Sequence, residues 1–172
     1  MKKIIVVSIF LMSVLSVSQS DYEKEQILFK SFSFSPSIYS DGNTGGFVFS
    51  SDLSYIYNKN IFSLSFITGS EITILGSSDI FMELNLLFGN EFKLSEKFLV
   101  EIHGGLGYFY FSPANYYQNS SYVVGIPITT KFRFDGRGKF SFGFQLHANI
   151  NSVNSIYTVG VLFQWNKRAI SK

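Results

Sequence analysis

The sequence predicts an all-β protein, an eight-stranded antiparallel up-and-down transmembrane β-barrel. Three observations carry that expectation. Eight segments alternate with period two over roughly a dozen residues each, about twice a usual soluble strand, where a tilted strand needs about 9–11 residues to cross a bilayer. One face of each segment is bulky and apolar while the other is Ser, Gly, Thr and Asn. The connections alternate in length: those after the second, fourth and sixth segments are short, those after the third and fifth long, and those after the first and seventh intermediate.

The first segment, 27–39, sets Phe32, Phe34 and Ile38 against Ser31, Ser33, Ser35 and Ser37. Asp41-Gly42-Asn43-Thr44-Gly45 has turn chemistry and leads into 46–57, where Phe47, Phe49, Leu53, Tyr55 and Tyr57 oppose Val48, Ser50, Asp52 and Ser54. Asn58-Lys59-Asn60 is a tight turn into 61–70, with Phe62, Leu64 and Phe66 opposite Ser63, Ser65 and Gly69. This third strand has no sharp stop before Leu75 and is free to run on. The fourth and fifth segments, 79–92 and 97–111, read as a hairpin about a turn at 93–96. Their apolar faces carry Ile80, Met82, Leu84, Leu86 and Phe88, then Phe98, Val100, Ile102, Leu106, Tyr108 and Tyr110. Their opposite faces carry Phe81, Glu83, Asn85, Leu87 and Gly89, then Leu99, Glu101, His103, Gly105, Gly107 and Phe109.

The connection 112–121 is the longest and contains Pro113, Tyr116 and Tyr117. The sixth segment, 122–134, sets Val124, Ile126, Ile128, Phe132 and Phe134 against Gly125, Thr129, Lys131 and Arg133. Pro127 interrupts it, and a proline inside a strand predicts a bulge. Asp135-Gly136-Arg137-Gly138 is a tight turn into 139–150, where Phe140, Phe142, Phe144, Leu146 and Ile150 oppose Ser141, Gly143, Gln145, His147 and Asn149. The eighth segment, 155–166, sets Tyr157, Val159, Val161, Phe163 and Trp165 against Thr158, Gly160 and Gln164.

Composition decides which way the faces look. Charged residues are 15% against about 25% in ordinary globular chains, and aromatic residues are 18%, with 20 Phe and 10 Tyr. A polar face turned to water would carry many Lys and Glu, and 20 Phe would overfill the inside of a small barrel. The faces are therefore expected inverted, with bulky apolar side chains toward lipid and small polar ones in a narrow lumen. Tyr39, Tyr108, Tyr110, Tyr122 and Tyr157 near the long connections, and Tyr55, Tyr57, Phe98, Phe134, Phe163 and Trp165 near the short ones, are expected to form two interfacial girdles.

Residues 1–18 read as a signal peptide: Lys2 and Lys3, an apolar run from Ile4 to Leu15, and Ser16-Val17-Ser18 as a cleavage site. Residues 19–172 are the barrel domain. The formal charge of +2 is that of Lys2 and Lys3, so the mature chain is neutral and offers no basic patch for nucleic acid. The chain has no Cys, so neither disulfides nor thiolate chemistry are available to it.

The final strand, Thr158-Val159-Gly160-Val161-Leu162-Phe163-Gln164-Trp165, resembles the C-terminal signal of outer-membrane β-barrels, with Thr158, Gly160, Phe163 and Trp165 as the matching positions and Lys167–Lys172 trailing beyond. By pattern the whole mature chain is similar to the small OmpA/OmpX-type barrels, in a Phe/Tyr/Asn-rich style resembling Bacteroidetes outer-membrane proteins. The resemblance implies a bacterial outer-membrane location, contact with outer-membrane lipid, and assembly by the barrel-assembly machinery. A monomer is expected, with the connection 112–121 as the surface for an extracellular ligand.

Parity places Asp52, Glu83, Glu101, His103, Lys131, Arg133, Gln145 and His147 in the lumen. On an outward face a Lys or Arg costs about 2–4 kcal/mol at the midplane, so the inward position is nearly forced. Glu101 is expected to pair with Arg133 or Lys131, and the set to form a polar network that fills the interior. A solute-selective lining, and hence a porin-like channel, is the alternative. His147-Ala148-Asn149 is similar to the His-x-Ser-Asn stretch of PagL-type lipid A deacylases, but Asn149 stands where that chemistry needs a hydroxyl nucleophile. No catalytic residue is therefore expected. Two His without ligand spacing carry no metal motif, and Gly104-Gly105-Leu106-Gly107 lacks the Lys and helix of a phosphate loop. No cofactor is expected.

Overall fold

A computed structural model of the chain describes residues 27–73, 78–114, 119–134 and 138–167. The proposed signal peptide, Tyr116, Tyr117 and most of the 135–138 turn lie outside the described residues. Eight strands form one closed antiparallel barrel in sequence order: β1 (Leu28–Ser40), β2 (Gly45–Tyr57), β3 (Asn60–Glu71), β4 (Ile80–Lys93), β5 (Phe98–Ser112), β6 (Ser121–Phe134), β7 (Phe140–Ile150) and β8 (Ile156–Asn166). β1 pairs with both β2 and β8, so the sheet has no open edge. Closure matters because hydrocarbon offers no partner to an unpaired backbone group. Among the described residues no helix is long and apolar enough to cross a membrane.

The faces are inverted as composition requires. Phe142, Phe144 and Val161 are 53%, 52% and 42% exposed on the outer wall, while Ser33, Ser35, Ser54, Ser65 and Ser141 are buried inside. Outward Tyr108 and Tyr122 stack near the long-connection end with ring centroids 5.9 Å apart, and Trp165 packs edge-on against Phe140 at 5.3 Å near the short-turn end. Two-residue alternation through every strand produces this without exception among Phe32, Phe66, Phe88 and Phe140.

Turn chemistry explains the tight β2–β3 connection: Asn58 adopts a left-handed φ of 57°, which Asn tolerates better than most residues. β3 stops at Glu71, whose amide is held by the Asp79 carbonyl at 2.9 Å; the last residues of the run to Leu75 lie outside the described residues.

Three local expectations need correction. Pro127 makes no bulge. The β5–β6 register is the same on both sides of it, Gly104 with Ile128 and Gly107 with Gly125, and only the pairs between are missing. A proline lacks the N–H that would complete that rung, and the ladder skips rather than shifts. The bulge is instead in β1, where the register slips between Phe29 and Ser31. Tyr39 is not a girdle residue. It shares the parity of Ser33, Ser35 and Ser37 and is 6% exposed inside the barrel. The lumen is also not uniformly small and polar, because its long-connection end is closed by Tyr39, Val48, Ile67, Phe81, Phe109 and Ile156.

Candidate functional site in the barrel lumen

The lumen is layered along the barrel axis. At the short-turn end lies an ion cluster. Arg133 Nη2 is 2.6 Å from Glu101 Oε1, and Lys30 Nζ is 2.9 Å from Glu91 Oε2. Lys30 also contacts Glu101, and Arg133 also contacts Glu91, so two cations alternate with two carboxylates. Arg133 Nη1 reaches Asn166 Oδ1 at 3.4 Å, and Gln164 Nε2 donates to the same oxygen at 2.8 Å. His103 Nε2 meets the other Glu101 oxygen at 3.1 Å.

The next layer crosses the barrel. Lys131, on β6, is 3.2 Å from Asp52 Oδ2 on β2, and donates to Ser33 Oγ on β1 at 3.1 Å. Ser33 donates in turn to Asp52 Oδ2 at 3.1 Å. Gln145 Nε2 donates to Ser50 Oγ at 3.2 Å.

Above it Glu83 Oε2 accepts three hydrogen bonds, from Asn149 Nδ2 at 2.9 Å, Asn85 Nδ2 at 3.0 Å and His147 Nε2 at 3.1 Å. A carboxylate only accepts, so the His147 nitrogen facing it carries a proton. The other ring nitrogen, Nδ1, lies 2.9 Å from Thr129 Oγ1. A hydroxyl, an imidazole and a carboxylate thus stand in line, but all three residues are buried within the lumen.

The last layer is the apolar plug. Tyr39 meets Phe81 edge-on, and Phe81 stacks on Phe109 with centroids 6.0 Å apart. Gly69 makes the plug possible: a Cβ built there would run into the Phe81 ring. Outside the plug, the mouth carries Asp41, Glu71 and Asp79. Asp41 accepts from the Thr44 and Asn43 amides at 2.7 and 2.8 Å and from Asn154 Nδ2 at 2.9 Å, joining the connections 41–44 and 151–155. Partial burial pushes its carboxyl up, but the bonds from Asn154, Thr44 and Asn43 outweigh it and hold the group below its ordinary value.

Asp52, Glu83, Glu101, His103, Lys131, Arg133, Gln145 and His147 are all buried inside the barrel. They form distinct clusters joined through serines and asparagines. Of the two partners considered for Glu101, Arg133 pairs with it; Lys131, although opposite Glu101 in the ladder, turns its amine to Asp52. Lys30 and Glu91 are additions. Glu91 continues the parity of Gly89 and was readable by extending it two residues. Lys30 has outward parity and is turned inward only by the β1 bulge. Among the described residues no group of three His, Asp or Glu side chains is arranged to hold a metal ion.

In the last strand, Thr158 faces inward beside His147, Gly160 lies against Ser37, and Phe163 and Trp165 point outward opposite Phe142 and Phe140.

The wall, the closure and the strand order match solved outer-membrane barrels. Neisserial surface protein A superposes with a TM-score of 0.61 at 9% identity, over 81% of this chain and 96% of that one. The attachment invasion locus protein Ail of Yersinia pestis gives 0.51 at 18%, over 83% and 98%. The N-terminal barrel domain of Pseudomonas aeruginosa OprF gives 0.51 at 11%, over 83% and 100%. The fold is that of the small eight-stranded outer-membrane barrels. An exterior of Phe, Leu, Ile and Val around a closed sheet suits a hydrocarbon surround rather than water. No protein-family model matches the chain, and no curated protein matches it in sequence. What this barrel shares with these neighbours is therefore architecture.

Proposed function

We propose that this outer-membrane barrel is a sealed, non-enzymatic scaffold that makes surface contacts through its outer connecting segments. The observation that carries this reading is the double closure of the lumen. An aromatic plug fills the end beneath the long connections, and the Lys30–Glu101–Arg133 and Lys131–Asp52 clusters fill the end beneath the short turns. Eight strands leave room for side chains and little else. A solute would have to displace both layers. Planar-bilayer recording tests this: the reading expects no stable unitary conductance steps, and regular steps would establish the porin-like alternative.

The residues also speak against lipid A chemistry. Asn149 donates to Glu83 and offers no nucleophile, while the hydroxyl that does approach His147, Thr129 Oγ1, faces the lumen rather than lipid. Mass spectrometry of lipid A from cells with and without the protein should give the same acyl pattern; a lost or added acyl chain would overturn this part.

The contact surface we assign to the outer end is uncharged or acidic. A Yersinia pestis Ail structure is solved in complex with the heparin analogue sucrose octasulfate. Here the connections 41–44, 72–79, 113–120 and 151–155 contain no Lys or Arg, and the mouth carries Asp41 and Asp79, so a polyanion is not the fitting ligand. Tyr, Asn and Ser in 113–120 supply amphipathic contact area instead. Cells displaying the protein, which present only this outer end, should bind no more heparin at physiological salt than cells lacking it.

A further inference from the structure

The exposed cations of the described barrel all lie at one end. Lys59 sits in the β2–β3 turn, Lys93 and Lys97 flank the β4–β5 turn, Lys139 precedes β7, and Lys167 follows β8; all five are exposed. By sequence, Lys24, Arg137, Arg168 and Lys172 adjoin the same strand ends, against Asp21, Glu23, Glu25, Glu91, Glu96 and Asp135, so cations still outnumber carboxylates there. The opposite end has Asp41, Glu71 and Asp79 and, in its four connections, no cation. Charge exclusion from the hydrocarbon explains why lysines sit at an end. It does not explain why they occupy only one.

We propose that this basic rim is a binding surface for anionic phospholipid headgroups of the inner, periplasmic-side leaflet. The inference rests on the membrane reading above, in which short turns face the periplasm. Lys stems run along apolar wall and place the ammonium at headgroup level, and outward aromatics stand beside them at the same height. Trp165 is flanked by both kinds of neighbour: Phe140 packs against it, the Lys139 carbonyl accepts from the Asn166 amide at 2.8 Å, and Lys167 lies two residues on. A cation held near phosphate is a compact point charge with three donors. Each such Lys favours an anionic surface by about fivefold, and the effect is screened by salt. At the other end the three carboxylates disfavour the same headgroups, so the two leaflets are distinguished by the barrel itself.

Trp165 is the only tryptophan in the chain, is 48% exposed on the wall, and therefore reports the lipid beside Lys139 and Lys167. The full barrel is refolded into phosphatidylcholine vesicles containing a fixed fraction of phosphatidylglycerol, with bromine on the chains of one lipid or the other. Vesicle leaflets are symmetric, so insertion direction does not matter. Quenching at low salt should give a relative affinity for phosphatidylglycerol of about threefold or more. It should fall toward unity at high salt and in K139Q/K167Q, and be retained in K139R/K167R. A ratio near unity in the wild type, or one unmoved by both salt and K139Q/K167Q, would overturn the proposal while leaving the membrane reading intact. Should K139Q/K167Q not fold, the salt dependence of the wild type decides alone. Absence of quenching by either lipid would sink the membrane reading together with the proposal.

Discussion

Tyr39 and Phe81 meet edge-on inside the barrel with ring centroids 4.9 Å apart and planes at 78°. One lies at the end of β1 and the other at the start of β4, so their contact crosses the lumen instead of running along the wall. It closes the end beneath the long connections with aromatic surface that neither water nor an ion can replace at comparable cost. Phe81 is fully buried in this plug, edge-on to Tyr39 and stacked on Phe109.

Phe81→Ala should therefore destabilise the barrel by about 3–5 kcal/mol, the range for emptying a buried Phe site. Urea unfolding of the detergent- or vesicle-refolded protein measures it. The same variant should still be electrically silent, because the ion cluster at the other end remains. Conductance in Phe81→Ala alone would mean that the short-turn end is open.

Glu101 is buried between Arg133 and Lys30. Glu101→Gln should cost about 3 kcal/mol, the lower end of the range for removing one partner of a buried pair, since Glu91 still faces both cations. Removing charge on both sides, as in Glu101→Gln with Arg133→Met, should cost less than the sum of the single changes. Additivity in that double-mutant cycle would contradict a direct pairing.

Leu86 lies near the middle of β4 and is 68% exposed on the wall. Leu86→Arg should cost about 2–4 kcal/mol and Tyr122→Arg, near the end of β6, only about 0–1, because the penalty falls away from the midplane. Equal small costs at both sites would argue that this wall does not meet hydrocarbon.

The pH response of the mouth follows from Asp41. Its folded-state pKa lies below the unfolded one because the Asn154, Thr44 and Asn43 donors favour the carboxylate despite burial. A depressed carboxyl contributes stability above its unfolded pKa, about 3.9, and loses it as pH falls through the folded value. The tie between the 41–44 and 151–155 connections should thus be intact at neutral pH and release only in acid below that. In Asp41→Asn the acid-dependent change in amide exchange at Asn43 and Thr44 should vanish. An Asp41 titration at or above the ordinary value in carbon-detected NMR would refute it.

Much of this was readable before any coordinates. Period-two alternation assigned each side chain to a face, because successive residues of a strand must point to opposite sides of the sheet. Strand ends agree with the structure to within a residue or so, since Asn58-Lys59 and Asp41-Gly42 mark turns by their own backbone preferences. Inversion of the faces followed from scarce charge and abundant Phe. Glu91 stands two residues beyond Gly89 on the same alternating face of β4, so its inward parity is legible in the sequence as well.

What tertiary structure decided is who meets whom across the lumen. Lys30 has the wrong parity for the interior and enters it only because β1 bulges between Phe29 and Ser31. Lys131 pairs with Asp52, not with Glu101 beside it in the ladder, because closing the sheet brings β2 opposite β6 within reach of a long side chain. Pro127 interrupts a rung without shifting the register, which depends on how firmly the flanking pairs hold it. Alternation is local and each strand carries it in its own residues. Contacts through the centre exist only after all eight strands have closed, and no single strand encodes them.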